Sequence, residues 1–155
     1  YYINFLLISC LILILLITPS CKKKSIYEKM DQINYQNILS CNDYRYIVIC
    51  WQVDCSNCEK LSETVENYYN YQKKNKDAPT IYGLNVNLSY NKDIVNTTED
   101  DYKNMIGTNN FKDIQTRTTP TILYVENGIL IKNISDFSTR YPVTEGKAWL
   151  ESLMK

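Results

Sequence analysis

Tyr46-Ile47-Val48-Ile49-Cys50-Trp51 followed by Asp54-Cys55-Ser56-Asn57-Cys58 is the stretch whose reading decides the fold. The first part is an almost unbroken run of β-branched, aromatic and apolar residues, expected for a central strand covered on both faces. From about Cys58 the pattern changes: Leu61, Val65, Tyr68 and Tyr69 recur at helical spacing. A Cys-x-x-Cys therefore stands where a strand turns into a helix. A thiol attacks as its thiolate, and the first turn of a helix offers unpaired N–H groups and the positive end of the dipole. Cys55 at that turn is the expected nucleophile, and Cys58, one turn later, is close enough to resolve a mixed disulfide. Asp54 and Glu59 oppose the thiolate, and Lys60 offsets part of that.

Working outward, Thr119-Pro120-Thr121 opens a second apolar strand over Thr121 to Val125. Asn127-Gly128 is a hairpin signal, and Ile129 to Ile134 returns antiparallel. The order of these features over Tyr44 to Lys155 resembles the thioredoxin superfamily. That resemblance implies an α/β fold with a central mixed sheet, flanking helices and a C-terminal β-hairpin. It implies thiol–disulfide exchange at Cys55 and Cys58, a cis Pro120, and a substrate backbone held by Thr119 and Pro120. Trp51 matches the family's aromatic position and is expected to shape the site. Two departures stand out. The family's buried aspartate six residues before the first cysteine is Ile49 here, and its usual tryptophan just before that cysteine is Asp54. Ser56-Asn57 matches neither the Gly-Pro of reducing thioredoxins nor the Gly-His of disulfide isomerases, so the direction of reaction is open.

Two blander readings compete. The pair could be half of a zinc site completed by Cys41 and Cys50, although the spacing is not that of a familiar knuckle. It could also be a static structural disulfide. Cys41 and Cys50 are expected to be inert buried thiols, because an extended strand between them would hold them apart.

The remaining elements follow from periodicity. Apolar residues at Ile26, Met30, Ile33 and Ile38-Leu39 predict an amphipathic helix ending near Ser40. The active helix should run to about Lys76, its end marked by Lys73, Lys74 and Lys76. Ile81 to Leu88 reads as a strand and Thr98 to Ile106 as a helix. Part of Asn91 to Phe111 looks like an insertion, read as a surface loop in preference to a substrate lid. A closing helix from Val143, capped by Thr144, should cover the sheet with Ala148, Trp149, Leu150 and Leu153.

Composition narrows the chemistry. The 155 residues suit one domain with an N-terminal appendage, and 17 basic against 17 acidic residues draw the chain to no nucleic acid. With no histidine, Ser-His and Cys-His catalysis and histidine metal sites are excluded, and the reactive group is a thiol. Neither cofactor nor metal is expected. Phe5 to Ile17 is an uncharged apolar run of 13 residues, short for a membrane span of about 20 and suited to a secretory signal. Thr18-Pro19-Ser20 and Cys21 follow, then Lys22-Lys23-Lys24. Cys21 resembles a bacterial lipobox cysteine, with Thr18 where leucine is usual; an uncleaved anchor and plain secretion are the other readings. The expected division is 1–20 signal or anchor, 21–25 lipidated tether and 26–155 thioredoxin-like domain. The domain should then lie outside the cytoplasm on the bacterial cell membrane, where disulfides persist. Its partners would be cysteine-containing exported proteins or peptides and a redox partner. Within the superfamily the layout is similar to the bacteriocin transport accessory proteins. The alternative from another class is a non-catalytic module that binds an exported partner or transporter and keeps a structural disulfide. Intact-mass analysis of membrane-extracted protein is expected to show a diacylglyceryl adduct on Cys21 and loss of the preceding residues; an unmodified chain still carrying residues 5–17 would refute the lipoprotein reading.

Overall fold

Strand β1 (Arg45–Trp51) is the centre of the molecule, with β2 (Thr80–Asn85) on one side and β3 (Thr121–Glu126) on the other. In the computed structural model, residues 24–96, 106–135 and 140–155 are described. Residues 1–23, with Cys10 and Cys21, and all but the last residue of the helix expected at 98–106, lie outside them. Strand β4 (Ile129–Ile134) completes the order β2-β1-β3-β4. β1 runs parallel to β2 and antiparallel to β3, and β3 pairs antiparallel with β4, so the sheet is mixed. A parallel pair needs a crossover. Helix α2 (Ser56–Lys74) supplies it, which is why the active helix lies between the two strands in sequence. The β3–β4 turn has Asn127 and Gly128 both at positive φ, as an Asn-Gly hairpin turn requires.

Side chains alternate along β1 and feed two cores. Ile47, Ile49 and Trp51 join Leu61, Val65 and Tyr68 of α2. Tyr46, Val48 and Cys50 join Leu84, Ile94, Ile114 and Leu123 on the opposite face. The burial on both faces explains the unbroken apolar run.

The long helix expected from Ile26 to Ser40 is absent. Helix α1 is only Ile26–Lys29, closed by a Ser25–Glu28 capping box. Beyond it the backbone is extended, because residues 31–33 add to the outer edge of β2: Gly83 donates to the Asp31 carbonyl and Ile33 donates to the Gly83 carbonyl, both at 2.9 Å. A 3-10 turn at Tyr35–Asn37 follows. The apolar spacing mimicked a helix because its residues serve different cores, Met30 the first and Ile38 the second. Strand β2 stops at Asn85 and not at Leu88, since the Asn85 side chain accepts the Asn87 amide and turns the chain. Helix α2 stops at Lys74, with the Asn75 side chain donating to the Tyr71 carbonyl.

Around the stretch expected to be an insertion, the described flanks are anchored in the second core. Asn91 and Ile94 are buried, and Phe111 packs edge-on against Tyr35. Residues 107 and 108 exchange hydrogen bonds with Leu130 and cover part of the β4 edge.

Helix α3 (Pro142–Ser152) closes the sheet, but Thr144 is not its cap: Tyr141 holds that position and Pro142 opens the first turn, where its missing N–H costs nothing. Trp149 meets Tyr124 edge-on, and Leu150 is fully buried. The helix sits close because Gly146 faces the sheet; a Cβ there would lie 2.7 Å from Ile122 Cδ1. Gly146→Val is expected to lower stability by about 1–3 kcal/mol through overpacking, measured by denaturant unfolding.

Candidate redox site

The end of β1 delivers the site. After Trp51 the chain turns through Val53 and Asp54, and Asp54 adopts a left-handed φ of 58°, uncommon for a residue with a Cβ. The turn is held from β2's end, where Asn87 Oδ1 accepts the Val53 N–H at 2.8 Å. Cys55 is then the N-cap of α2, and its Sγ accepts the Cys58 N–H at 3.0 Å. Cys55 and Cys58 form a disulfide. Cys55 is half-buried, whereas Cys58 is 3% exposed and packed among Ile49, Leu61 and Trp51. The first turn therefore presents one sulfur outward and keeps the other within the core. The helix N-terminus and the Cys58 amide are placed to favour negative charge on Cys55 once the pair is reduced.

The second half of the site comes from the start of β3. The Thr119–Pro120 bond is cis. The Thr119 hydroxyl donates to Cys55 Sγ at 3.4 Å, and the Thr119 carbonyl lies 3.5 Å from the same sulfur. The loop is braced from inside: the hydroxyls of Thr116 and Thr121 both donate to the Thr118 carbonyl, at 2.7 and 2.9 Å. Thr116 is buried and pairs through its backbone with Ile94 and Asn96, tying the loop to residues 94–96.

Two grooves flank the disulfide. One, of about 360 Å³, runs between Asp54–Asn57 and Thr116–Thr119, with Val86 and Val95 at its side. The other, of about 830 Å³, lies between α1 and the start of α2 and reaches Trp51, Cys55 and Cys58. Of the residues expected at the site, Cys55, Cys58 and Thr119 come together, and Pro120 follows Thr119 through the cis bond. Trp51 stands behind them, 5% exposed, stacked on Tyr27 at 5.6 Å and donating to Gln32 Oε1 at 3.2 Å. Lys60 turns its ammonium to Asn57 Oδ1 at 3.3 Å. Ile49, at the strand position where the resemblance would put a carboxylate, is fully buried in the cluster that holds Cys58. Sequence reading missed Tyr27, Gln32, Asn87 and Thr116.

The other two described cysteines are free and differ from each other. Cys50 is fully buried, and burial pushes its thiol up to about 12. Cys41, expected to be buried, is only half-buried, because it sits in the turn ahead of β1; desolvation, then the nearby Asp43 charge, raise it above its usual range, partly opposed by a hydrogen bond with Tyr46.

The thioredoxin-like domain family matches residues 36–146 of this sequence. The chain belongs to that family. Among solved structures its fold is similar to mitochondrial thioredoxin 3 of Saccharomyces cerevisiae in the oxidized form, with 12% identity and a TM-score of 0.51 over 81% of this chain and 97% of that one. A mutant thioredoxin from Halobacterium salinarum matches at 13% identity and a TM-score of 0.45, over 81% and 88%. Thioredoxin f2 of Chlamydomonas reinhardtii matches at 12% and 0.44, over 68% and 82%. No curated protein matches the chain by sequence. The thioredoxin-like domain as matched begins after α1, so the elements carrying Tyr27 and Gln32 precede it.

The free thiols give a direct check on this environment. With the Cys55–Cys58 bond intact, iodoacetamide is expected to label Cys41 slowly at pH 8 and faster as the pH rises, because burial keeps its thiol protonated. Cys50 should label only after unfolding, as followed by peptide mass spectrometry.

Proposed function

We propose that this protein is a thiol–disulfide oxidoreductase that acts on exported proteins or peptides through Cys55 and Cys58. The single observation that supports the activity most is the bonded pair at the N-terminus of α2, with Thr119 on Cys55 Sγ at 3.4 Å. In the reducing direction, the Cys55 thiolate attacks a substrate disulfide. One substrate sulfur bonds to Cys55, and the other leaves as a thiolate that takes a proton from water. Cys58, losing its proton to water, then attacks Cys55 Sγ. The Cys55–substrate bond breaks, the Cys55–Cys58 bond forms, and the second substrate thiol is released. The substrate gains two electrons and the protein loses two; the oxidising direction is the same sequence reversed. In this mechanism Thr119 and Pro120 hold the substrate backbone in the smaller groove, and Trp51 backs the site.

Export rests on the apolar run at 5–17 and the small residues and lysines around Cys21. On this reading Cys21 carries the lipid that tethers the domain to the outer face of a bacterial membrane, and residues 26–155 form the working domain. Among the described residues no helix is long and apolar enough to cross a membrane. The similarity in layout to bacteriocin transport accessory proteins suggests cysteine-containing secreted peptides as the substrate class.

Titration of the pair against glutathione, with alkylated thiols read by mass spectrometry, is expected to show reversible reduction; a pair that stays oxidised throughout would instead mark a structural disulfide in a non-catalytic binding module. Cys58→Ser is expected to accumulate covalent complexes with exported proteins, and Cys55→Ser to accumulate none. Trapping by Cys55→Ser would show that Cys58 is the attacking thiol and overturn the assignment of roles.

A further inference from the structure

Helix α1 lies outside the matched domain, yet its side chains reach the resolving cysteine. Tyr27 Oη donates to the Cys58 carbonyl at 2.6 Å, across 31 residues of sequence. The Tyr27 ring is 3% exposed and stacks on Trp51 in the apolar cluster that contains Cys58. Its own position is fixed from three sides. Gln32 Nε2 donates to the Tyr27 carbonyl at 2.6 Å, Lys29 Nζ pairs with Glu66 of α2 at 3.2 Å, and Tyr69 Oη donates to the Lys29 carbonyl at 3.1 Å. Four-residue helices do not persist alone. This one is held as a bracket against the first turns of α2.

We propose that Tyr27 is a positioning residue for Cys58, its hydroxyl fixing the Cys58 peptide and its ring shielding the Cys58 side of the pair. The inference rests on the exchange reading above for its kinetic part only. A carbonyl has two lone pairs, so the Cys58 oxygen can take the Tyr27 hydroxyl in addition to its place in the helix. Burial raises the Tyr27 phenol above its usual range, so the group keeps its proton and remains a donor. The larger groove runs beside this contact and just reaches Cys58, which is 3% exposed; without the ring that access would widen. Shielded in this way, Cys58 is spared reaction with outside thiols and reagents and attacks only a mixed disulfide already formed on Cys55.

The test compares the wild type with Tyr27→Phe and Tyr27→Ala, each full chain reduced with a phosphine and checked for folding by circular dichroism. Cys58 alkylation is read against Cys55 in the same molecules. The lifetime of the Cys55–glutathione mixed disulfide is measured after addition of oxidised glutathione. Tyr27→Phe should leave Cys58 labelling within about two-fold of wild type, while release of glutathione slows about five-fold, the scale of one lost buried hydrogen bond. Tyr27→Ala should raise Cys58 labelling by about ten-fold or more with Cys55 little changed, as expected when a buried thiol becomes accessible. An unchanged release rate in Tyr27→Phe, or unchanged Cys58 labelling in folded Tyr27→Ala, overturns the proposal; if Tyr27→Ala does not fold, the Tyr27→Phe release rate decides. A wild type that forms no resolvable mixed disulfide would sink the exchange reading, and the labelling comparison would still decide the role of Tyr27.

Discussion

The Cys58 amide pointing at Cys55 Sγ is the contact on which the arrangement of the site depends. A helix must begin somewhere, and its first amides lack partners within the helix. Here a sulfur takes the place that a serine or aspartate oxygen usually fills at an N-cap. That one substitution of capping atom makes the start of α2 a chemical site. The donor that completes the helix in the oxidised state is also the donor that would stabilise a thiolate after reduction.

Everything else serves to hold that turn where it is. β1 is buried on both faces, so its end is rigid, and Asn87 and Thr116 fasten the two loops that meet over the sulfurs. The parallel β1–β2 pairing forces a crossover and so places a helix N-terminus at the end of the central strand. The antiparallel β1–β3 pairing brings the start of β3 to the same end, which is how Thr119 arrives beside Cys55 from 64 residues away.

The surroundings of Cys58 differ from what the sequence resemblance implied. With Ile49 in the first core there is no carboxylate at that strand position, and the neighbours are apolar. A covered thiol suits the resolving role proposed for Cys58, since its target is delivered within reach of it and solvent competitors are kept out. Trp51 and Leu61 cover it from within the matched domain, and Tyr27 adds to them from the segment before it. The site is therefore shared between the matched domain and the segment before it, whose Tyr27 hydroxyl bonds the Cys58 carbonyl.

Much of the site was legible in the sequence because its signals are local. Strand, cysteine pair, helix and Asn-Gly hairpin are each defined by residues within a few positions of one another, and each lies where periodicity placed it. The order of motifs carried the fold class. Tertiary structure decided the rest. The helix expected over residues 26–40 gave way to an edge pairing with Gly83, since backbone donors on a β2 edge are satisfied better by an extended partner than left bare. Thr144 lost its capping role to the chain entry at Tyr141, which depends on how α3 seats over Ile122. Tyr27, Gln32 and Asn87 have no sequence signature because their hydrogen bonds to Cys58, Trp51 and Val53 span many residues, and Thr116 has none because its backbone pairing with Ile94 and Asn96 exists only in the fold. Local chemistry is written in spacing; contacts across the fold exist only once the sheet has brought its ends together.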